Sequence, residues 1–304
     1  MPEPWEAEVR IDVALASRVI ARQFPALAER AVEPFGEGWD NAAFLVGGAY
    51  VFRFPRREVA VPLIETELRV LPAIAAHLPL PIPVPRFAGV PDGEYRWPFA
   101  GYKLLGGRTL SSESLDDDEY AGVAATCGAF LRALHACDAA RLPPPGVDVD
   151  RIGRLDHPRC MPKVSARLRE LHAAGLLHHI APLERQLKSV APRGPRGDRR
   201  TLVHGDLYAR HILVDGDHRA AGVIDWGDVH FGDPALDLAI AFSVLPPATR
   251  SAFVDAYGEI DAETWSLAQY RAIYSSTLVA HYGHRIGDAE LVRAGLAGLS
   301  RALE

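Results

Sequence analysis

The alternation of apolar and polar positions predicts a mixed chain, with strands in its first third. Apolar residues recur at helical spacing over residues 12–30 and again over 61–77. Between these two predicted helices, the short apolar runs 42–46 and 50–54 flank a Gly-Gly turn, a pattern typical of a β-hairpin. A small antiparallel sheet with accompanying helices is therefore expected at the N-terminal end.

The next segment extends this sheet. Proline alternates with leucine, isoleucine and valine over residues 79–85, which requires an extended backbone and excludes a helix. Two further strands are predicted at 87–90 and 99–105, around a Pro-Asp-Gly turn. The extended segment is interpreted as a packed connection between helix and strand.

The rest of the chain has mainly helical spacing. Two stretches rich in Pro and Gly, 141–159 and 192–200, are expected to be a long loop and a basic linker. The predicted helices cover residues 119–137, 164–190, 247–257, 262–282 and 288–303. The C-terminal part is thus predicted to be larger and mostly helical.

Composition limits the function classes. The chain has 304 residues, 48% of them hydrophobic, and a formal charge of -6, so it can bury a full core and offers no electrostatic footprint for nucleic acid. Its three cysteines form no CxxC pair, which argues against a disulfide framework or a zinc site. The N-terminus is acidic and no 18-residue apolar run occurs, so neither a signal peptide nor a membrane span is expected. A cytoplasmic monomer is the resulting expectation.

Two short polar patterns carry the candidate chemistry. His204-Gly-Asp206-Leu is followed by His211, and Asp225-Trp-Gly comes after two short apolar runs joined by a turn. Such a hairpin returns the chain to its start and brings Asp225 beside His211. Phosphoryl transfer needs an oriented acceptor oxygen and neutralised phosphate charge rather than covalent help. The pattern therefore predicts a magnesium-nucleotide site at the mouth of a hairpin.

The two aspartates also have a simpler interpretation. Turn aspartates commonly accept hydrogen bonds from loop amides and do nothing else. Each pattern alone is short enough to arise by chance, but the two patterns separated by a hairpin are much rarer. The joint pattern favours the phosphoryl-transfer interpretation.

This stretch resembles known kinase motifs. Protein kinases carry H-R-D-L-x-x-x-N followed by D-F-G, and residues 202–227 resemble the catalytic loop of the aminoglycoside phosphotransferase family. The resemblance covers most of the chain and is closest to the 2''-aminoglycoside and macrolide phosphotransferase branches. It implies an α/β (α+β), bilobal protein-kinase-like fold. The small N-terminal nucleotide-binding lobe would span 1–105, the hinge 102–107, and the catalytic and substrate-binding lobe 106–304.

The resemblance also implies roles for the motif residues. Asp206 would be the catalytic base, and His211 and Asp225 would lie at Mg²⁺. His204 and Asp237 would support the catalytic loop structurally. His211 departs from the Asn of the wider family, and magnesium prefers oxygen ligands to imidazole nitrogen. Asp225 is accordingly favoured over His211 as a direct ligand of Mg²⁺.

Nucleotide binding is expected to involve the N-terminal strands. Arg53 lies on the strand where kinases have a phosphate-binding Lys, and the resemblance of residues 66–71 to the following helix makes Glu67 its partner. Glu65 is the other candidate for the partner, and Arg56 or Arg57 could replace Arg53.

A glycine-rich loop and a hinge complete the predicted nucleotide site. Gly36 and Gly38 belong to a loop at 35–41 whose backbone amides could approach phosphate oxygens. Backbone groups of the hinge would contact the purine of either ATP or GTP. The hinge residues are Tyr102, Lys103, Leu104 and Leu105.

The leading hypothesis is a small-molecule O-phosphotransferase that moves the γ-phosphate of ATP or GTP to a hydroxyl of an aminoglycoside antibiotic. A macrolide, or a metabolite such as choline, homoserine or a sugar, is the alternative acceptor. A non-catalytic pseudokinase is a third hypothesis, because Arg53 and His211 depart from the kinase pattern.

Overall fold

The computed structural model describes residues 7–138, 142, 150, 152–190 and 201–304. The mixed α/β, bilobal organisation is confirmed, with a five-stranded sheet followed by a larger helical part. The predicted linker 192–200 and most of the predicted loop 141–159 lie outside the described residues. The proposed lobe boundaries near residue 105 remain a prediction.

The N-terminal sheet is antiparallel throughout, in the order β1-β2-β3-β5-β4. Phe52 and Phe54 are buried on one face of β3, and Arg53 points to the other, because successive side chains of a strand alternate. The predicted glycine-rich loop at 35–41 is shorter than expected, since β1 continues to Glu37. The strands are β1 (Val32–Glu37), β2 (Asn41–Val46), β3 (Tyr50–Pro55), β4 (Pro85–Gly89) and β5 (Phe99–Lys103).

The first helix covers one face of this sheet. Helix α1 (Val13–Gln23) is capped by Asp12, whose side chain accepts a hydrogen bond from the amide of Leu15. The predicted helix 12–30 was too long. It ends at Gln23 because Pro25 disfavours helical backbone at Phe24, and a 3₁₀ turn (Pro25–Leu27) follows.

Helix α2 (Val61–Ile74) connects the sheet to the helical part. Its apolar residues Ile64, Leu71 and Ile74 belong to the same buried core as Phe130 and Trp226, far along the chain. The core between the sheet and α1 is separate. Helix α2 is therefore packed with the C-terminal part, although it precedes β4 and β5 in the sequence.

The C-terminal part contains helices and short strand pairs. The predicted helix 164–190 is in fact two helices, since Gly175 adopts a left-handed φ of 73° between them. The helices are α3 (Asp117–His135), α4 (His157–Ala173), α5 (Ala181–Ser189), α6 (Ala235–Leu238), α7 (Ile240–Ser243), α8 (Arg250–Tyr257), α9 (Ala262–Ile286) and α10 (Ala289–Arg301). The strands are β6 (Arg108–Thr109), β7 (Thr201–Val203), β8 (Ile212–Val214), β9 (Ala220–Val223) and β10 (His230–Gly232). Within the described ranges, every helix is too short or too polar to cross a bilayer.

Two glycines of α3 allow a matched test of its packing against α8. A Cβ on Gly128 would lie 2.4 Å from the carbonyl oxygen of Phe253, whereas a Cβ on Gly122 would meet nothing within 4 Å. Gly128→Ala should lower the free energy of unfolding by about 1–3 kcal/mol. Gly122→Ala should raise it by roughly 0.5–1 kcal/mol, because alanine favours the helix. Urea unfolding measures both; equal effects at the two positions would contradict the close α3–α8 contact.

Candidate active site

One buried carboxylate binds the backbone of the loop between β7 and β8. Asp237, on α6, accepts hydrogen bonds from the backbone amides of His204 at 2.7 Å and Gly205 at 2.8 Å. Gly205 has a φ of 84°, and a Cβ there would lie 2.5 Å from the carbonyl oxygen of Asp228. Only glycine fits this turn without strain. The chain thus presents residue 206 at a fixed place.

Asp237 is itself held by a histidine. The His135 Nε2 lies 3.2 Å from an Asp237 oxygen, and its Nδ1 lies 2.9 Å from the hydroxyl of Tyr257. Burial acts to raise the pKa of Asp237, but the hydrogen bond and charge of His135 outweigh it and lower the pKa. The carboxylate therefore stays ionised and keeps both loop amides bonded.

His204 ties this loop to the end of the hairpin. Its Nε2 is 3.0 Å from the carbonyl oxygen of Ile224, and its Nδ1 accepts a hydrogen bond from the amide of Asp206 at 3.3 Å. Burial lowers the pKa of His204. A neutral ring with its proton on Nε2 satisfies both partners. His204 and Asp237 thus both bond backbone amides of this loop.

The hairpin returns the chain as predicted. Strands β8 and β9 pair antiparallel, and the amide of Ile224 donates to the carbonyl oxygen of His211 at 2.9 Å. Asp225 then adopts a φ of 63°, a left-handed conformation that is uncommon for a residue other than glycine. Such backbone strain persists only where surrounding contacts hold it, and it is concentrated at functional sites.

Both oxygens of Asp225 are engaged by cationic side chains. Its Oδ1 accepts from Nη2 of Arg53 at 2.7 Å, and its Oδ2 lies 3.3 Å from Nε2 of His211. Burial acts to raise the pKa of Asp225, but the charge of Arg53 and the bond to His211 hold it well below the usual range. The side chain of Asp225 still has 45% of its surface exposed. Asp225 therefore presents an ionised carboxylate that is partly open to solvent.

His211 is oriented by both of its ring nitrogens. Its Nδ1 donates to the backbone carbonyl oxygen of Asp206 at 2.8 Å, which directs Nε2 toward Asp225. Burial acts to lower the pKa of His211, but its bond to Asp225 and the nearby carboxylates raise it. In this arrangement Nε2 serves as a partner of Asp225.

Arg53 joins the sheet, helix α2 and Asp225. Its Nη1 donates to the two carboxylate oxygens of Glu67 at 3.0 and 3.2 Å, while its Nη2 reaches Asp225. Glu67 is buried and also accepts a 2.6 Å hydrogen bond from the hydroxyl of Tyr102. The alternative partner Glu65 is exposed. Of the candidates left open by the sequence, the structure pairs Arg53 with Glu67.

The other two arginines of this segment have separate partners. Arg56 donates to the carbonyl oxygen of Gly38 at 2.9 Å and contacts Glu37. Arg57 donates to Asp40 at 3.0 Å. Both therefore brace the β1–β2 turn, and Arg53 alone of the three contacts Glu67 and Asp225.

The predicted glycine-rich loop closes toward the C-terminal part. The amide of Gly38 donates to the carbonyl oxygen of Asn41 at 3.0 Å, and Gly36 lies within β1. Neither glycine has a positive φ. Trp39 directly follows Gly38, and its ring packs edge-on against Tyr282 of α9, with 4.9 Å between the ring centroids. The indole N–H of Trp39 donates a hydrogen bond to the hydroxyl of Tyr282.

The predicted hinge begins inside the sheet. Tyr102 and Lys103 are the last residues of β5, with Tyr102 buried toward Glu67 and Lys103 exposed. The amide of Leu104 donates to the carbonyl oxygen of Ala49 at 2.9 Å. Leu105 follows and contacts the hairpin near Gly222. The side chain of Tyr102 is therefore part of the Arg53 network.

Asp206 is the carboxylate that the loop presents. Its side chain is 41% exposed. Partial loss of hydration against the surrounding protein, together with the nearby charge of Asp228, raises the pKa of Asp206 to about 6. A base with such a pKa is mostly unprotonated at neutral pH and can still take up a proton.

Three charged residues near Asp206 were missed from the sequence. Arg154 is buried and donates to Asp150 at 2.8 Å and to Asp228. Arg271, on α9, has its Nη2 4.0 Å from Asp206 Oδ1. Asp228 directly follows the Asp-Trp-Gly pattern and could have been noticed there. The two arginines come from distant parts of the chain and carry no local signal.

The residues also fit a magnesium ion bound together with phosphate. Among the described residues there is no group of three or more His, Cys, Asp or Glu side chains that could enclose a metal. Mg²⁺ commonly keeps several waters and binds one or two carboxylates plus substrate phosphates, so no such cage is needed. The ionised, partly exposed Asp225 is the carboxylate that fits this requirement.

Comparisons with known proteins agree with this fold. Viomycin phosphotransferase from Streptomyces vinaceus is 26% identical over 269 residues, covering 84% of this chain and 88% of that protein. The GDP and kanamycin complex of an APH(2'') enzyme matches with a TM-score of 0.65 and 22% identity, covering 94% of this chain and 97% of that one. A macrolide 2'-phosphotransferase from Brachybacterium faecium matches with a TM-score of 0.59 and 21% identity, covering 95% and 97%.

The family comparison covers most of the chain. The model of the phosphotransferase enzyme family matches residues 31–273, a range that includes the Arg53 network, the catalytic loop and the hairpin. This match, the kinase-like fold and the arrangement of Asp206 and Asp225 agree with one another. The chain therefore belongs to the phosphotransferase enzyme family.

Proposed function

We propose that this protein transfers the γ-phosphate of ATP or GTP to a hydroxyl of an antibiotic, with Asp206 as the base. The observation that carries the proposal is that His211 links two residues with partly exposed carboxylates: its Nδ1 bonds the backbone carbonyl oxygen of Asp206, and its Nε2 lies 3.3 Å from the side chain of Asp225. Asp206 has a raised pKa, whereas the pKa of Asp225 is lowered. Neighbouring groups whose pKa values are driven apart suit different roles.

Asp206 would orient the acceptor hydroxyl and take up its proton. Its backbone is fixed by the Asp237 and His204 contacts, so the exposed carboxylate needs no rearrangement to meet the acceptor. Asp225 would hold Mg²⁺, with His211 as the adjacent second candidate, and the ion when bound neutralises phosphate charge and aligns the transferred group.

Arg53 would hold nucleotide phosphate. Its guanidinium is positioned by Glu67 and already reaches the metal-binding carboxylate. The β1–β2 turn with Gly36 and Gly38 would cover the phosphates, and backbone groups at residues 102–105 would contact the purine. Because Arg53 retains the pairing with Glu67, its departure from lysine gives little support to the pseudokinase alternative.

The acceptor class rests on the relatives. Viomycin, kanamycin and macrolides are named for proteins similar to this chain over most of its length. An aminoglycoside or another cationic antibiotic is the first choice, and the net charge of -6 suits a cationic small molecule. A macrolide is the second choice. A cytoplasmic monomer acting on such small molecules, without nucleic acid or membrane as partner, completes the proposal.

Asp206→Asn tests the base assignment. The amide cannot take up the acceptor proton, so kcat should fall by about a hundredfold to ten-thousandfold. The Kd for nucleotide, measured by calorimetry, should change less than about twofold, since Asp206 does not contact Arg53. Asp217→Asn, in the exposed turn of the same hairpin, is the matched control and should retain wild-type turnover. Turnover retained by Asp206→Asn would contradict the assignment.

The pH dependence of kcat/KM provides a second test. A base must be unprotonated, and the raised pKa of Asp206 lies at about 6. Activity should therefore be full above this pH and fall about tenfold per unit as the pH drops below it. An acidic limb centred near the ordinary aspartate value of about 3.9 would show that burial does not perturb Asp206 in this way.

Arg53→Met tests the charge bridge. The substitution leaves the buried Glu67 without its cation and should lower the free energy of unfolding by about 3–5 kcal/mol, with a higher KM for nucleotide. Arg53→Lys should restore part of the free energy of unfolding and lower the KM for nucleotide part of the way toward the wild-type value. Arg18→Met removes an exposed arginine that pairs with Glu94 and should change stability by less than about 0.5 kcal/mol. Equal effects of Arg53→Met and Arg18→Met would exclude a structural bridge.

A further inference from the structure

A buried cation beside Asp206 lacks the partners that such a group normally has. The side chain of Arg271 is only 5% exposed, and its Nη2 lies 4.0 Å from Asp206 Oδ1, beyond hydrogen-bond distance. Within the described part of the chain, its guanidinium donates no hydrogen bond. It packs over the ring of Tyr274, with 5.1 Å between the guanidinium carbon and the ring centroid.

The neighbouring arginine shows what a satisfied buried guanidinium looks like here. Arg154 donates to Asp150 at 2.8 Å and also to Asp228, so its charge is neutralised by two carboxylates. Among the described residues, the ion pair of Arg271 is the single long contact with Asp206, at 4.0 Å. Burial together with the charge of Arg154 lowers the pKa of Arg271. Burying a cation with so few partners is costly. Packing alone does not account for an arginine at this position.

A second polar atom on the same helix is also unsatisfied. The hydroxyl of Tyr270, adjacent to Arg271 in sequence, is buried and has no hydrogen-bond partner among the residues described. The ring of Tyr270 packs near His157 of α4, with centroids 5.7 Å apart. The interior between α4 and α9 thus contains an unsatisfied hydroxyl near Arg271.

We propose that the guanidinium of Arg271 binds the acceptor, by donating hydrogen bonds to an acceptor oxygen adjacent to the hydroxyl that Asp206 orients. The inference rests on the proposed function and narrows its substrate class. The matching oxygen belongs to a carbonyl, carboxylate, ether or second hydroxyl group. Arg271 is accordingly a specificity-determining residue of the acceptor site.

The positive charge of Arg271 determines which acceptor molecules fit this site. An ammonium group placed directly beside the reacting hydroxyl would lie against the Arg271 cation in a region of limited solvent, where like charges repel strongly. An oxygen lone pair in that place gains a charge-assisted hydrogen bond. A cationic antibiotic is therefore accepted only when its amines lie away from the hydroxyl that receives the phosphate.

The test compares variants of Arg271 in the full-length protein. Viomycin, kanamycin and erythromycin serve as acceptor probes with ATP and GTP, and the probe with the highest wild-type kcat/KM is used for the variants. Arg271→Gln should raise the KM of that probe about tenfold or more, and Arg271→Lys should recover part of the loss. The KM for nucleotide should change less than about twofold. Arg285 is exposed on the same helix, so Arg285→Gln is the matched control. Its KM values for the acceptor and for nucleotide should equal those of wild type.

Thermal unfolding gives a second measurement that needs no acceptor. If Arg271 is retained for binding, Arg271→Met should have a melting temperature equal to or above that of wild type, because a poorly paired buried cation is removed. Arg154→Met should have a lower melting temperature than wild type, because the carboxylates of Asp150 and Asp228 lose their shared cation.

The outcomes separate the two proposals. An unchanged acceptor KM in Arg271→Gln, or a loss of melting temperature in Arg271→Met as large as that in Arg154→Met, overturns the role of Arg271. If wild type phosphorylates none of the probes, the antibiotic proposal fails, and the melting comparison then decides whether Arg271 is a structural or a binding residue.

Discussion

The ionic contact between Arg53 and two carboxylates is the interaction on which the rest of the site depends. It joins strand β3 to helix α2 through Glu67 and to the C-terminal hairpin through Asp225. A guanidinium can make both contacts at once because its donors form a planar fork. The buried Glu67 needs that cation, and its pKa is raised by burial even with Arg53 present. The same side chain thus organises both sides of the cleft.

A second network independently fixes the loop that follows β7 and carries Asp206. His135, Asp237 and His204 form a buried chain of hydrogen bonds from α3 through α6 to the loop. Each member has its partners, and fully satisfied buried networks are rigid. The loop is therefore anchored within the helical part, while Arg53 reaches Asp225 from the sheet. Asp206 and Asp225 are held by different structural elements, and both contact His211.

Sequence patterns could predict the parts of this site that are local. The hairpin between His211 and Asp225 and the alternation that directs Arg53 away from the aromatic core follow from spacing alone. The choice of Glu67 over Glu65 required a family resemblance, because both lie on the same predicted helix. Arg154 and Arg271 could not be found, since their contacts with Asp228 and Asp206 join segments separated by many residues. Helix ends were also missed where a single proline or glycine decided the backbone conformation.

The contact of Trp39 with Tyr282 has a consequence for access to the cleft. The ring packing and hydrogen bond between them join the β1–β2 turn to α9. These two interactions contribute about 2 kcal/mol to holding the turn against α9. Any separation of this turn from α9 would move the indole of Trp39 from a packed to an aqueous environment. The fluorescence of Trp39 is consequently an intrinsic reporter of the distance between the β1–β2 turn and α9.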